Sequence, residues 1–362
     1  MNTENIKITP SHLPNAGILF ADLEKEGRSG HLGHALVEYA PGHVLAFYPN
    51  CSAEDAAYQG HSGYGWMEYR RSEDGGRTWS DPAAEPNSKA LFDRNCGRTL
   101  MCEKAVCTDT GRIVLFYLQC DMRTDGHVWK PFFEPLYAVS TDGCRTVSPA
   151  RTFCQVRGRI YDARYHEGRI YVLFQRGAFC GAPAPETGNY YELYVSEDNG
   201  ETFSLRSVLP FSGTDDVFYG TMVFRPDGSL LVYCYDRSDE HNLKYTVSRD
   251  NGHTWQTNRR AFFAKRLRNP QIAYFGGTYF IHGRSGNYGK QERRKHFVLY
   301  TSADGIHWDE GTYLRLCDAG YGAYSNNLVV RQPDGTERLL IQASHAYEEN
   351  KTNVIQYWVD LV

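Results

Sequence analysis

Short runs of alternating apolar and polar residues recur along the whole chain, as in residues 191–195 and 243–247. Several runs lie in pairs joined by a short glycine-containing connection, such as 222–224 with 230–233. Alternation with a period of two is typical of half-buried β-strands, and the short connections between paired runs predict hairpins. The pattern therefore predicts an antiparallel, all-β protein.

An eight-residue turn motif recurs after these strands. Its clearest copies are residues 72–79 and 248–255, which read Ser-x-Asp-x-Gly-x-Thr-Trp. Related copies begin at Ser140, Ser196 and Ser302, so the period is about 55 residues. Asp can accept hydrogen bonds from backbone amides in a tight turn, and Gly supplies a positive φ at low cost. We expect each copy to close a turn between strands and to direct its aromatic residue between sheets.

Each repeat also contains an earlier pair of strands, so a unit has four. Four-stranded units arranged around an axis solve the problem of exposed sheet edges. We therefore predict a six-bladed β-propeller of four-stranded antiparallel blades, as a single domain over residues 1–362. The sixth unit ends with a strand at 353–361 and no turn motif, so a segment near residues 17–22 is expected to supply its outer strand. A multi-sheet sandwich with accidental repeats is the alternative fold.

Composition narrows the function classes. The net charge is −4 without long runs of like charge, so we expect neither a nucleic-acid nor a membrane partner. The ten cysteines are dispersed without metal-ligand spacing, which predicts no metal, no cofactor and mostly buried, reduced thiols. Residues 1–10 are polar and lack the order of a signal peptide, which predicts a cytoplasmic location.

The turn motifs are the Asp boxes of the sialidase superfamily, which the chain resembles over nearly its whole length. In that family the boxes are structural, so we look for chemistry at the propeller axis. The segment Ala323-Tyr324-Ser325 is similar to the segment that carries the sialidase nucleophile. The resemblance implies that Tyr324 is a nucleophile, since a carboxylate would be repelled by the carboxylate of the sugar.

Two arginines have spacings similar to those of the carboxylate-binding arginines of sialidases. Arg237 precedes the fourth turn motif, and Arg294 precedes the fifth. The planar guanidinium fork suits this task because it pairs bidentately with a carboxylate. Arg293 is an equal-looking neighbour of Arg294, and Arg284 at the end of an inner strand pair is a further candidate.

The resemblance weakens in the first unit, where sialidases carry the first arginine of a triad. The matching segment, residues 31–36, contains His31 and His34 but no arginine. On a straight strand a spacing of three directs these histidines to opposite faces, so we expect at most one in the cleft. Either another arginine completes the site, or standard sialosides are poor substrates. The arginine candidates are Arg98, Arg268 and Arg284, and other polar candidates for the pocket wall are Asp162, Arg164, Asn269 and His345.

The resemblance also assigns the acid/base role. Residues 47–55 correspond to the sialidase loop that bears the acid/base aspartate, and Asp55 is preferred over Glu54. A glutamate normally stands near the start of the fourth unit and takes the proton of the tyrosine. Residues 214–220 contain no glutamate, so Asp216 is the candidate partner, and Glu103 is a more distant substitute.

Together these features predict a retaining glycoside hydrolase that removes a terminal, acidic, sialic-acid-like sugar from a glycan or oligosaccharide. Tyr324 would attack the anomeric carbon, and Asp55 would protonate the leaving oxygen and then act as base. One alternative is a sialidase-like polysaccharide lyase, with Tyr324 and either His31 or His34 as acid and base. The other is a non-catalytic, glycan-binding propeller.

Overall fold

The chain folds into six antiparallel sheets that form the blades of a propeller around a common axis. The computed structural model describes residues 6–10, 17–53, 64–121, 133–177, 190–211, 217–286, 296–316, 323–349 and 351–362. The predicted six-bladed β-propeller is therefore confirmed.

The strands of the first three blades follow the order of the chain. Two strands precede blade 1, namely β1 (Ile6–Thr9) and β2 (Ile18–Ala21). Blade 1 contains β3 (Arg28–Ser29), β4 (Leu36–Ala40), β5 (His43–Ser52), β6 (Gly65–Ser72) and β7 (Ala83–Ala84). Blade 2 contains β8 (Arg98–Cys107), β9 (Ile113–Asp121), β10 (Leu136–Ser140) and β11 (Arg151–Thr152). Blade 3 contains β12 (Gly158–His166), β13 (Arg169–Arg176), β14 (Tyr190–Ser196) and β15 (Ser204–Val208).

The second half of the ring follows the same plan. Blade 4 contains β16 (Val217–Phe224), β17 (Leu230–Asp236), β18 (Asp239–Ser248) and β19 (Arg259–Phe262). Blade 5 contains β20 (Arg268–Phe275), β21 (Thr278–Ser285), β22 (His296–Ser302) and β23 (Thr312–Arg315). Blade 6 contains β24 (Ser325–Arg331), β25 (Glu337–Glu348) and β26 (Lys351–Leu361), and it is completed by β1 and β2.

Helical structure is confined to two short connections within the described ranges. A 3₁₀ turn covers Glu24–Glu26, and helix α1 (Pro86–Asp93) links blades 1 and 2. Glu85 caps α1, because its carboxylate accepts the backbone N–H groups of Asn87 and Ser88. The helices that the structure describes include none long and apolar enough to cross a membrane.

The ring is closed by the N-terminal strands. β26 pairs with β25 on one side and with β2 and β1 on the other, with Ile18 opposite Gln356 and Ile6 opposite Leu361. Asn353 adds a polar contact, since its side-chain oxygen accepts the N–H groups of Leu23 and Glu24. The predicted closure by residues 17–22 is confirmed, and β1 extends it.

The turn motifs are held by their aspartates as the sequence predicts. Asp250 accepts the backbone N–H of Thr254 at 2.9 Å and its hydroxyl at 2.6 Å, and these bonds lower the pKa of Asp250 to about 2. Ser248 donates to Asp250 and accepts the N–H of Gly252. Gly252 has φ +82°, and a Cβ there would lie 2.1 Å from Leu193 Cδ2 of blade 3. Equivalent bonds to backbone amides are made by Asp74, Asp142, Asp198 and Asp304.

The aromatic residue that ends a turn packs against the preceding blade. Trp255 of blade 4 donates its indole N–H to Ser207 of blade 3 at 2.8 Å. Trp308 of blade 5 stacks on Phe263 of blade 4 with ring centres 5.5 Å apart. The turns therefore join neighbouring blades as well as strands.

Replacing Trp255 with alanine is expected to lower the free energy of unfolding by about 2–3 kcal/mol. The half-buried indole would lose its contacts with blade 3 and its bond to Ser207. Trp255→Phe keeps an aromatic ring and should lose only about 1 kcal/mol. Denaturant unfolding of both variants measures the difference, and equal stability of Trp255→Ala and the unmodified protein would contradict this role.

Candidate active site

The inner strands of blades 2 to 5 each carry a β-bulge near the propeller axis. A bulge changes the direction in which a side chain points. The bulges fall at Glu103 in β8, Tyr161 in β12, Tyr219 in β16 and Asn269–Pro270 in β20. In blade 6 the equivalent place is Tyr324, directly before β24. We call Glu103, Tyr161, Tyr219, Asn269 and Tyr324 the axial ring.

The axial ring surrounds a cavity of about 30 Å³. Its volume suits one or two water molecules. The backbone is strained around it, because Tyr219 has φ +49°, Asn269 φ +51° and Ala323, beside Tyr324, φ +73°. Both polar atoms of the Asn269 amide are buried, and no described residue hydrogen-bonds to them. Strain and unpaired polar groups at one place are characteristic of functional sites.

Tyr324 is enclosed by charged and aromatic groups, and 8% of its surface is exposed. The Arg284 guanidinium lies over its ring, 4.9 Å from the ring centre. The ring of His31 meets the phenol edge-on, with ring centres 4.5 Å apart. The Tyr219 hydroxyl donates to the Tyr324 oxygen at 3.1 Å.

A chain of polar contacts runs from Tyr219 back to Glu103. Arg159 Nη1 donates to the Tyr219 oxygen at 3.3 Å, and Arg159 Nη2 donates to Glu103 Oε2 at 2.6 Å. All three side chains line the cavity, so Glu103 is linked to Tyr324 through two intervening residues.

The pKa values of Tyr324 and Tyr219 are shifted in opposite directions. Burial alone would raise the pKa of Tyr324, but the charge of Arg284, the hydrogen bond from Tyr219 and the charges of Arg159 and Arg268 outweigh it. The pKa of Tyr324 therefore lies below its ordinary value. Burial and the neighbouring Tyr324 raise the pKa of Tyr219 well above the ordinary value. Of the two, Tyr324 is therefore expected to ionise at the lower pH.

The histidine prediction was wrong about local structure. His31 and His34 lie in an irregular segment between β3 and β4, where Gly33 bends the chain at φ +78°. Both side chains therefore reach the site, because His31 contacts Tyr324 and His34 lines the cavity. His34 Nε2 donates to the His31 carbonyl at 3.1 Å, and burial lowers the pKa of His34 to about 4.

The predicted arginines occupy different surroundings. Arg284 contacts Tyr324, whereas Arg268 donates to the Tyr235 hydroxyl at 3.0 Å and pairs with Glu240 at 3.1 Å. Two others stack on phenylalanines, Arg237 over Phe218 at 5.4 Å and Arg98 over Phe133 at 4.4 Å. Three further candidates, Asp55, Asp216 and Arg294, lie outside the described residues, as do Glu54 and Arg293.

A buried polar layer lies next along the axis, and we call it the axial plug. Lys104 donates to Gln271 at 2.5 Å and Asn326 at 2.6 Å, and it lies 3.3 Å from Asp162. The other oxygen of Asp162 accepts the Thr221 hydroxyl at 2.9 Å. Arg164 also pairs with Asp162, at 3.2 Å.

The axial plug separates two cavities. Lys104 and Asn326 line the small cavity beneath Tyr324 and also a second cavity of about 240 Å³. Arg164 and Glu38 line only the second cavity. Burial lowers the pKa of Lys104 to about 8 in spite of Asp162.

The described part of the chain contains neither a cluster of metal-ligand residues nor a disulfide. No group of three or more His, Cys, Asp or Glu there could hold a metal ion. The eight cysteines within it are all free thiols.

The sequence interpretation missed Tyr219 and Arg159 as parts of the site. Each lies at the start of an inner strand, about one repeat from an equivalent residue in the next blade. Aligning the six units on their inner strands, rather than on their turn motifs, would have brought Tyr161, Tyr219 and Tyr324 together.

Of the comparisons with known proteins, the comparison with solved structures supports this fold. No protein-family model and no curated protein matches the chain. Among solved structures, a protein of unknown function from Dyadobacter fermentans aligns with a TM-score of 0.72 and 13% identity, covering 99% of this chain and 100% of that one. A Hadza microbial sialidase aligns with a TM-score of 0.67 and 14% identity, covering 94% of this chain and 68% of that one.

A third solved structure covers almost the whole of both chains. The intramolecular trans-sialidase from Ruminococcus gnavus, in complex with oseltamivir carboxylate, aligns with a TM-score of 0.63 and 12% identity over 96% of this chain and 97% of that one. These likenesses define the class of fold, a sialidase-type six-bladed propeller. The chain is a divergent example of this fold, as the turn motifs predict.

Proposed function

We propose that this protein is a retaining glycoside hydrolase that removes a terminal acidic sugar, with Tyr324 as the nucleophile. The observation that carries the proposal is the environment of Tyr324. A buried phenol at the axis of a sialidase-type propeller lies under the Arg284 guanidinium and accepts a hydrogen bond from Tyr219. Such surroundings lower the pKa of Tyr324 and so make it a better nucleophile at neutral pH.

The proposed reaction has two displacements. The oxygen of ionised Tyr324 forms a bond to the anomeric carbon while the bond to the leaving oxygen breaks, and Asp55 protonates that oxygen. Asp55 then takes a proton from water, which attacks the same carbon and releases Tyr324. Arg284, with Arg237 and Arg294, would bind the carboxylate of the sugar through charge-assisted hydrogen bonds.

A polysaccharide lyase is the second candidate, and one contact favours it. The edge-on contact between His31 and Tyr324 brings a base and a phenol together, as β-elimination from a uronic acid requires. A lyase releases an unsaturated uronate that absorbs in the ultraviolet, whereas a hydrolase releases a saturated sugar. Product absorbance therefore separates the two reactions.

Fluorogenic glycosides in matched acidic and neutral pairs, such as a glucuronide with a glucoside, test the proposal directly. We expect cleavage of at least one acidic substrate in preference to its neutral partner. A sialoside is expected to give kcat/KM below about 10⁴ M⁻¹s⁻¹, since His31 lies beside Tyr324 in the segment that lacks the first arginine. Binding of acidic glycans without cleavage of any would support a non-catalytic propeller instead.

The variant Arg284→Met should lower kcat/KM for the acidic substrate by about 10- to 100-fold, the value of one charge-assisted hydrogen bond. The neutral substrate should be affected less. Arg206→Met is the matched control, because Arg206 is also largely buried but pairs with Glu197 at an outer strand. Equal losses on both substrates would show that Arg284 does not bind a carboxylate.

A further inference from the structure

The hydroxyl of Tyr219 has one proton, and its neighbours determine where that proton points. Arg159 donates to the Tyr219 oxygen at 3.3 Å, and a guanidinium keeps its protons in proteins. Tyr219 is therefore an acceptor toward Arg159. Its own proton is then directed to the other neighbour, the Tyr324 oxygen at 3.1 Å.

Glu103 fixes the orientation of Arg159. The carboxylate accepts Arg159 Nη2 at 2.6 Å, and both side chains are buried at the cavity. Arg159 and Tyr219 lie between Glu103 and the oxygen of Tyr324, so Glu103 does not accept the proton of Tyr324 directly. Among the described residues that line the cavity it is also the one carboxylate. The hydrogen bond from Tyr219 is thus a donation to the oxygen of Tyr324.

The charged and titratable groups around Tyr324 also favour ionisation of its phenol. Blade 1 contributes His31 and His34, and blade 2 contributes Glu103 and Lys104. Blades 3 to 5 contribute Arg159, Tyr161, Tyr219, Tyr235, Arg268 and Arg284. Glu103 is bound to Arg159, Glu240 to Arg268 and Asp162 to Lys104. Arg284 over the phenol ring favours an electron-rich phenolate through a cation–π contact.

We propose that Tyr324 is held as a phenolate before substrate binds, and that Tyr219 is the residue that stabilises it by donating a hydrogen bond. Tyr219 thereby fills the place of the glutamate expected from the sialidase resemblance, but it donates a hydrogen bond to the oxygen of Tyr324 where a glutamate would accept the proton. This inference rests on the proposed function for its role in catalysis.

The chemistry balances without a proton acceptor for the nucleophile. The phenolate electron pair forms the bond to the anomeric carbon, and the leaving oxygen receives its proton from the acid, Asp55. In the second step Asp55 takes one proton from water, and the bond that breaks returns the electron pair to Tyr324 as phenolate. Tyr219 keeps its proton throughout. Its hydrogen bond to the oxygen of Tyr324 weakens as that oxygen loses its negative charge and strengthens again as the charge returns.

Ultraviolet difference titration of tyrosine ionisation tests this directly. In the unmodified protein one of the 26 tyrosines should ionise at lower pH than the others. That early step should be absent from Tyr324→Phe and move upward by about one pH unit or more in Tyr219→Phe. Tyr171→Phe, a buried tyrosine of blade 3 outside the cavity, is the matched control and should leave the step unchanged.

Protein labelled at tyrosine Cζ gives a second measurement by NMR, and it remains informative if Tyr219→Phe does not fold. An early-ionising Cζ signal that is missing in Tyr324→Phe supports the phenolate. Titration of all signals at or above the ordinary tyrosine pKa would overturn it.

Activity distinguishes failure of this inference from failure of the proposed function. An early phenolate at Tyr324 without cleavage of any glycoside would refute the hydrolase and leave the phenolate intact. Glycoside cleavage without an early phenolate, or with a step that Tyr219→Phe does not move, would refute the role of Tyr219. With cleavage present, the acidic limb of the kcat/KM profile should move upward in Tyr219→Phe, which a purely structural role would not cause.

Discussion

Tyr324→Phe is expected to lower kcat for glycoside cleavage by about three orders of magnitude or more, because the variant has no oxygen to bond to the anomeric carbon. The aromatic ring, its contact with His31 and the stacking of Arg284 would all remain. Substrate binding should therefore change far less than kcat. Steady-state kinetics on the best substrate of the glycoside pairs measures the loss.

A mechanism-based fluorinated glycoside provides the complementary measurement. It should label a single peptide that contains Tyr324, and mass spectrometry of a digest would identify it. Tyr171→Phe should retain both activity and labelling. Turnover by Tyr324→Phe within tenfold of the unmodified protein would refute the nucleophile assignment, and labelling of another residue would name its replacement.

Asp162→Asn is expected to reduce the free energy of unfolding by about 3–5 kcal/mol, the usual result of removing one member of a buried ion pair. Asp162 is fully buried and neutralises Lys104 and Arg164 in the axial plug. Its oxygens also accept the Thr221 hydroxyl and the Met222 N–H. An amide at this position would leave two cations with no carboxylate partner in the plug.

The loss should depend on pH in a defined direction. Burial would raise the pKa of Asp162, but the charges of Arg164 and Lys104 outweigh it and hold the pKa below the ordinary value. A lowered folded-state pKa contributes stability above the unfolded pKa near 4, and that contribution disappears as the pH falls toward the folded pKa. The difference between Asp162→Asn and the unmodified protein should therefore be full at neutral pH and shrink below about pH 4.

Denaturant unfolding at several pH values measures this difference. Asp227→Asn is the control, because Asp227 forms an exposed pair with Arg249 and should lose less than about 1 kcal/mol. A small, pH-independent effect of Asp162→Asn would show that the axial plug contributes little to stability.

The fold could be predicted because its signal is a repeated local interaction. Each turn motif carries its own geometry in Ser, Asp, Gly and Thr, so the same residues reappear wherever the same turn forms. Ring closure was also predictable, since a sixth unit with no outer strand requires one from elsewhere. Helix α1 was not predicted, although Pro86 at its first position and the cap at Glu85 are signals for the start of a helix.

The site was predictable only in part. Tyr324 is flanked by residues that resemble a known segment, and Arg284 ends a recognisable strand pair. The bulges could not be recognised in the sequence because they do not share a residue type. Glu103 and Tyr219, for example, occupy equivalent bulges in blades 2 and 4 but differ in chemistry. In a chain with so many aromatic strand residues, Tyr219 looks like a core residue until its partners are known. The bend at Gly33 likewise depends on backbone geometry that a spacing of three does not reveal.

Ring closure determines when the site can come into existence during folding. The strands of blades 2 to 5 are contiguous in sequence, so each can form from local chain, whereas blade 6 requires contacts such as Leu23 with Asn353, 330 positions apart. Such non-local contacts are slow to form because the entropy of closing a long loop must be overcome first. Tyr324 belongs to blade 6 and His31 to blade 1, on either side of that last junction. A folding intermediate with five complete blades would therefore still lack an assembled nucleophile, and activity should appear in the same kinetic phase as closure.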